Sequence, residues 1–432
     1  MVDAGDQFSI GGLWQFCWSG RVSAAAVTWP IADMVLPGMT VRSGAEARVE
    51  SLDTAARTAT LSNGDVLQYD ACVLSPGCVS DASDVPGLEE HCLDVCSFTQ
   101  ATQAKASLDA FVARAKRRLA AEAKGEGENA GAGAGGRKLT FVYAIARMPY
   151  KCPPLPMEVT MLLDEYLREA GVRHLCRIVL ASPVPWPVGG AKGKAVFLPI
   201  LEEKGIEYLA SHVLASVETG ASAAAAAADT EETTEPACVL QFQSVGAGGA
   251  EDEDKDAAPV QLEADLLWGS MPQRAPAFLS GLSDKSGFVP VDLQTNRCTA
   301  NDGACSSSVF AIGDACKAVM PGPKKMHPKA GEFAFQMGSA VADILAAGID
   351  GADADPLPTG RMGACFAETG GGGAGVLVQP DLSAVINAPS SGMPKMSFTV
   401  AEGPVGTEQK MKWANSYIAR IFGDDARMFS LE

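Results

Sequence analysis

Three strand-to-turn junctions predict an α/β fold with two dinucleotide-binding-like units of the Rossmann type, after which a C-terminal α+β unit is expected. The run Leu139-Thr-Phe-Val-Tyr-Ala-Ile145 is apolar, β-branched and aromatic, and residues 157–170 follow with helical periodicity, the pattern of a buried parallel strand and its crossover helix. Met1-Val2-Asp3 reads as a strand ending in an acid, the place where such a unit holds a ribose. Ser308-Val-Phe-Ala-Ile-Gly-Asp-Ala315 is an apolar strand that delivers an acid just after a glycine.

A complete first unit places a strand, a glycine-rich turn and a helix, about thirty residues, ahead of its ribose acid. The chain starts at Met1, so the first unit is expected to be truncated at its N-terminus. Strands are next expected within residues 44–52, 58–61 and 66–70, with Ser62-Asn63-Gly64-Asp65 as a hairpin turn, because Asn-Gly supplies the positive φ it needs. Ala71-Cys-Val-Leu-Ser-Pro-Gly77 is a further apolar strand with its turn. In the second unit the crossing after Ile145 lacks the glycines that let backbone approach a pyrophosphate and carries Arg147-Met-Pro-Tyr-Lys-Cys-Pro-Pro-Leu-Pro-Met-Glu158 instead. The strand Arg177-Ile-Val-Leu-Ala181 is followed by Ser-Pro-Val, with no ribose-holding acid. The second unit therefore reads as a nucleotide-binding scaffold refitted for sulfur chemistry. The predicted division is 1–98 with 285–348, then 99–284, then 349–432.

The 432 residues carry a net charge of −18, which argues against nucleic acid and for basic or neutral partners. Residues 216–256 hold ten acids against Lys255, a net of −9, around an alanine run, and read as a solvated low-complexity insertion. Residues 120–136, rich in Ala, Gly and Glu, read the same way. No stretch has the eighteen or so uninterrupted apolar residues of a membrane span, which leaves peripheral contact open. Twelve cysteines include no C-x-x-C pair and there are four histidines, so no metal site is expected, His91-Cys92 with Cys96 included.

The chain resembles the flavoprotein subunit of flavocytochrome c sulfide dehydrogenase, a relative of the sulfide:quinone oxidoreductases. The resemblance rests on Pro149-Tyr-Lys-Cys-Pro-Pro154 with Glu158, on Met271-Pro-Gln-Arg-Ala275 and Gly287-Phe-Val-Pro-Val-Asp292, on Ile312-Gly-Asp-Ala-Cys316 and Pro328-Lys-Ala-Gly331, and on Met411-Lys-Trp-Ala-Asn-Ser-Tyr417. It implies FAD held by Asp3, Val49, Ser75, Pro76, Gly77, Gly313, Asp314 and Lys329. Phe8-Ser-Ile-Gly-Gly12 carries no thiol where some family members attach the flavin, so non-covalent FAD is expected. The resemblance also implies a redox disulfide between Cys152 and a C-terminal thiol, for which Cys365, 213 positions away, stands in the matching place. Hydrosulfide attack on that disulfide leaves a persulfide and a thiolate, and two electrons pass to FAD.

Lys151 and the start of a helix are expected to lower the Cys152 pKa. Glu158 reads equally as a proton relay and as an ordinary first-turn acid, and Lys329 as a cofactor contact or a solvated lysine. The substrate is sulfide or a small thiol, and cytochrome c and quinone both remain open as acceptors. Trp413, Tyr417, Ile418, Ile421 and Phe422 form one helical stripe, expected to be core or a subunit contact before a membrane-facing surface. Two other readings stay open: an NAD(P)H-dependent flavoprotein reductase, against which the glycine-free turn counts, and a non-catalytic remnant without cofactor.

Overall fold

The computed structural model describes residues 1–34, 37–124, 137–220, 237–246, 259–300, 308–320, 326–352, 355–371, 373–387, 396–403 and 406–431. At its centre is a five-stranded parallel sheet. Leu139–Ile145 is the middle strand, flanked by Cys176–Ala181 on one side and Leu266–Ser270 on the other, with Ile206–Leu209 and Leu93–Asp94 outermost. Every residue of Leu139–Ile145 is buried, as expected of a parallel strand covered on both faces.

The helix Leu155–Glu169 lies over this sheet and packs Met157, Met161, Leu163 and Leu167 into the largest core. It starts two residues before the predicted 157, because prolines are tolerated in a first turn, where backbone N–H groups have no intrahelical acceptor. Trp268 closes the far side of the core, edge-on to Trp18 and Phe141 with ring centroids 5.3 Å away in both cases. This contact ties the N-terminal helix Trp14–Trp18 to the central sheet.

The N-terminal region pairs with residues far along the chain. Val2–Asp3 is parallel to Arg42–Ser43, and Cys72–Leu74 is parallel to Val309–Ala311. The hairpin Thr58–Leu61 to Val66–Gln68 turns at Gly64, whose φ is +88°. A second core forms where Val289–Val291 pairs with Cys316–Ala318 beneath the helix Gly331–Ile349. The C-terminal part is a three-stranded antiparallel sheet, Cys365–Gly370, Ala374–Asp381 and Ser397–Gly403, followed by the helix Thr407–Phe422. No described helix is long and apolar enough to cross a membrane.

Both predicted insertions are narrower than composition suggested. The helix Phe98–Lys124 runs into the first, leaving 125–136 outside the described residues. In the second, His212–Thr219 and Cys238–Ser244 are strands of an antiparallel sheet completed by Val260–Ala264, and only 221–236 and 247–256 of that window lie outside the described residues. Cys238-Val-Leu-Gln-Phe-Gln-Ser244 alternates, burying Cys238, Leu240 and Phe242, a period-two signal masked by the surrounding acids.

This sheet meets the rest of the molecule at Gly87, where φ is +75° and a Cβ would stand 1.9 Å from the Val217 carbonyl oxygen. Gly87→Ala is expected to cost about 2–4 kcal/mol, from left-handed backbone strain together with overpacking. Urea unfolding at equilibrium measures it; a change within about 0.5 kcal/mol, as at an ordinary surface position, would show that the contact yields.

Candidate active site

A cavity of about 460 Å³, mostly apolar in lining, opens between the N-terminal segment, the turn before the helix Leu155–Glu169, the Asp314 turn and the C-terminal helix. Cys152, Cys365, Glu158, Asp314 and Lys329 all line it. Two thiols 213 positions apart in sequence therefore share one chamber, and both are unbonded.

Each thiol is held by its local structure. Cys152 sits in the turn with a φ of +55°, a region that side-chain-bearing residues seldom occupy. Its N–H donates to the Lys329 carbonyl at 3.1 Å and its own carbonyl accepts from Leu155 N–H at 2.9 Å, which holds the backbone there. Strain of this kind costs on the order of 1–3 kcal/mol and concentrates at functional sites. Cys365 opens the strand Cys365–Gly370, which packs on the helix that follows Cys152.

The electrostatics differ from the expectation of an acidic thiol. Burial pushes the Cys152 pKa up to about 11; Glu158 raises it further, and Lys410, the Leu155 N–H and Lys151 pull against this, in that order. Burial also pushes Cys365 upward, with Cys152 and Glu158 adding to the shift. The Lys151 ammonium sits 5.6 Å from the centre of the Trp14 ring and interacts with Cys96, Cys78, Asp314 and Asp94. Dipole and lysine are outweighed by desolvation of the thiol in a mostly apolar cavity.

Glu158 is buried and ion-paired with Lys410, and its Oε1 also accepts the Glu368 N–H at 3.0 Å. Burial raises its pKa, with Lys410 acting downward and Glu368 upward. Neither Lys410 nor Glu368 was singled out in the sequence. Lys410 carried a usable signal, since Lys410, Ala414, Ile418 and Phe422 recur every four residues and all are buried on one helix face. The predicted stripe divides accordingly. Ile418 and Phe422, joined by Ala414 from outside the stripe, pack on Leu13, Phe16 and Trp29, while Trp413, Tyr417 and Ile421 line the cavity.

Lys329 is buried, not solvated. Its ammonium donates to the carbonyls of Asp314 at 2.6 Å and Cys316 at 3.2 Å and lies 3.8 Å from the centre of the Phe288 ring. It thus pins the turn Gly313–Ala315, which Gly313 enters at a φ of +66° and which carries Asp314 on the cavity wall.

The other expected cofactor residues do not line this cavity. Asp3 is exposed at the end of Val2–Asp3 and accepts the Gly5 N–H at 2.8 Å. Val49 is half-buried opposite Leu61, and Ser75 and Pro76 are exposed ahead of Gly77, whose φ is +72°. Phe8, Ser9, Ile10, Gly11 and Gly12 do line it. Cys17 faces away, its Sγ 3.9 Å from the Ser23 carbonyl. Elsewhere, His91 bonds Thr219, and no described group of three His, Cys, Asp or Glu could hold a metal.

A hollow of about 620 Å³ at the opposite end of the central sheet is lined by Lys138, Arg168, Arg173, His174, Arg177 and Lys204. Asp164 already pairs with Arg168 and Arg173, and Glu207 with Arg177, so most of its positive charge is engaged within the protein.

No protein-family model and no curated protein sequence matches this chain. Solved structures do match in fold. The sulfide:quinone oxidoreductase of the hyperthermophilic bacterium Aquifex aeolicus superposes with a TM-score of 0.67 at 16% identity, over 96% of this chain and 84% of that one. NDH2 of Plasmodium falciparum, solved in complex with NADH, gives 0.63 at 11% identity, over 96% and 88%. An NAD-dependent persulfide reductase from A. fulgidus gives 0.50 at 14% identity, over 88% and 59%. The chain has the α/β fold of flavoproteins built from two dinucleotide-binding domains, as its strand and turn pattern predicted.

Proposed function

We propose that this chain is an FAD-dependent oxidoreductase that oxidises sulfide or a small thiol through Cys152 and Cys365 and passes the electrons to a quinone. The observation that carries the reading is the convergence of the two thiols with Asp314 and Lys329 on one apolar cavity. The residues fit the ring end of FAD. The cavity is lined by the glycines of Phe8-Ser-Ile-Gly-Gly12 and by a half-buried acid on a glycine-initiated turn that Lys329 holds rigid. Asp314 with Lys329 would hold the flavin, and Asp3, Val49, Gly313 and the Ser75-Pro76-Gly77 turn are proposed for the rest of the cofactor.

In the oxidised protein Cys152 and Cys365 form a disulfide. Hydrosulfide attacks one sulfur, the S–S bond breaks, and one cysteine becomes a persulfide while the other leaves as a thiolate. A second hydrosulfide removes the outer sulfur as hydrodisulfide, and with one proton taken up the pair is left as two thiols. Closing the disulfide again releases two protons and two electrons. FAD, when bound, supplies the two-electron acceptor for that closure. Burial favours the protonated thiols, so closure needs a base, and Glu158 on the cavity wall is proposed to take a proton.

Quinone is favoured over a haem protein by the aromatic wall of the cavity. Trp413 and Tyr417 have ring centroids 5.2 Å apart, Phe335 stands edge-on to Tyr417 at 5.7 Å, and these surfaces suit a flat ring. The structurally similar Aquifex aeolicus protein is itself a sulfide:quinone oxidoreductase.

Anaerobic titration of the FAD-reconstituted protein tests the reading. Sulfide is expected to bleach the oxidised flavin band and NADH to leave it unchanged. Rapid bleaching by NADH would establish the reductase instead, and failure to retain FAD would leave a scaffold without cofactor.

A further inference from the structure

Directly behind the two thiols lies a buried cluster of one cation and two carboxylates. Lys410, in the first turn of the helix Thr407–Phe422, is 3% exposed and pairs with Glu158 Oε1, while its ammonium stands 3.8 Å from Glu368 Oε2. The outer oxygen of Glu368 accepts from the Thr407 hydroxyl and lies 4.0 Å from the half-exposed Arg21 guanidinium. Glu368 Oε2 has no hydrogen-bond donor. Glu158 and Lys410 line the thiol cavity; Glu368 and Arg21 stand behind them.

The charged and titratable groups around the thiols come from several elements. Cys152 lines one cavity with Glu158, Lys410, Lys151 and Cys96 and is acted on electrostatically by Glu158, Lys410 and Lys151. Cys365 lines the same cavity as Cys152, Glu158, Glu332 and Lys410, and Lys410 is the cation acting on it. Lys410 is thus the positive group common to both thiols, and each carboxylate that claims it reduces what it offers them. In a mostly apolar cavity a thiolate needs a nearby counter-charge.

We propose that Lys410 is a positioning residue whose ammonium, clamped between Glu158 and Glu368, supplies the positive charge that stabilises a thiolate at Cys152 or Cys365. Its bearing on turnover rests on the reading of those cysteines as the reactive pair, but thiolate stabilisation itself does not. Glu368 sets how much of the charge is available, by competing for Lys410 from the side away from the cavity. A brace that merely joins two helices to a strand would have no such effect on thiol ionisation.

The test is the pH dependence of iodoacetamide alkylation at each cysteine, read by peptide mass analysis on the full, reduced chain. Lys410→Met is expected to raise the alkylation midpoint of both thiols by about one pH unit, a roughly tenfold slower reaction at pH 8.5. Lys410→Arg restores most of the shift, and Glu368→Gln moves the midpoints down. Unchanged midpoints in Lys410→Met, or shifts of the same sign in Lys410→Met and Glu368→Gln, would overturn the proposal. Should Lys410→Met fail to fold, Glu368→Gln decides alone, and an unshifted profile sinks the idea. Alkylation requires neither sulfide nor flavin. Shifted midpoints without sulfide-dependent bleaching would therefore leave Lys410 in its role and remove the sulfide reading, and the reverse pattern would do the opposite.

Discussion

Cys152→Ser and Cys365→Ser are each expected to slow sulfide-dependent flavin bleaching by at least about a thousandfold, because a serine hydroxyl can neither form nor reopen a disulfide. The loss should be equally deep in either single variant and no deeper in the double one, since the two sulfurs act as a unit. Both side chains are half-buried at the edge of the main core, so unfolding midpoints should move little. Cys176→Ser is the matching control. That thiol is 1% exposed inside the central sheet and away from the cavity, so its loss should lower stability and leave the bleaching rate intact. Retention of more than a tenth of the rate in either cavity variant would remove the two-thiol mechanism.

Acid should open the structure first around His327. This side chain is buried, its Nε2 has no hydrogen-bond partner, and it stands edge-on to Phe333 at 4.6 Å. Burial pushes its pKa from 6.5 down to about 3; Arg361 and Lys329 also lower it, and the Pro328 carbonyl acts the other way. A depressed base is stable in its neutral form. The contribution of His327 is therefore complete above pH 6.5 and is lost as pH falls through 6.5 toward 3, where the unfolded chain binds a proton that the folded one refuses. Between pH 7.5 and pH 4 the loss is about 3 kcal/mol, at one pKa unit per 1.36 kcal/mol. His327→Gln, which cannot take up that proton, should flatten the dependence of unfolding free energy on pH over this interval. A variant that keeps the wild-type slope would assign the acid sensitivity to other groups. Because Lys329 is two residues away and pins the Asp314 turn, acid is also expected to weaken retention of FAD before global unfolding.

The parts of this molecule that were legible in the sequence are those written in local pattern. Leu139–Ile145 is predicted to the residue because a strand covered on both faces must be apolar throughout. The Asn63-Gly64 turn follows from the positive φ of Gly64, and the Gly313–Asp314 junction from a strand that ends in a glycine and an acid. Of the site residues expected from sequence, Cys152, Cys365, Glu158, Asp314 and Lys329 line one cavity, whereas Asp3, Val49, Ser75, Pro76, Gly77 and Gly313 do not. Where composition replaced periodicity the reading went astray, as in the acid-rich window that contains the strand Cys238–Ser244.

Charge and environment were decided only by tertiary structure. Lys329 and Lys410 are 4% and 3% exposed, and their partners, a turn and two carboxylates, are brought from elsewhere in the chain. The Cys152 pKa follows burial in a mostly apolar cavity lined by segments from across the chain, and no local residue type reports that enclosure. By itself the sequence determined which elements form, since hydrogen-bonding period and turn chemistry act over a few residues. The folded chain decided which distant groups meet and how water is excluded around them, and ionisation depends on both.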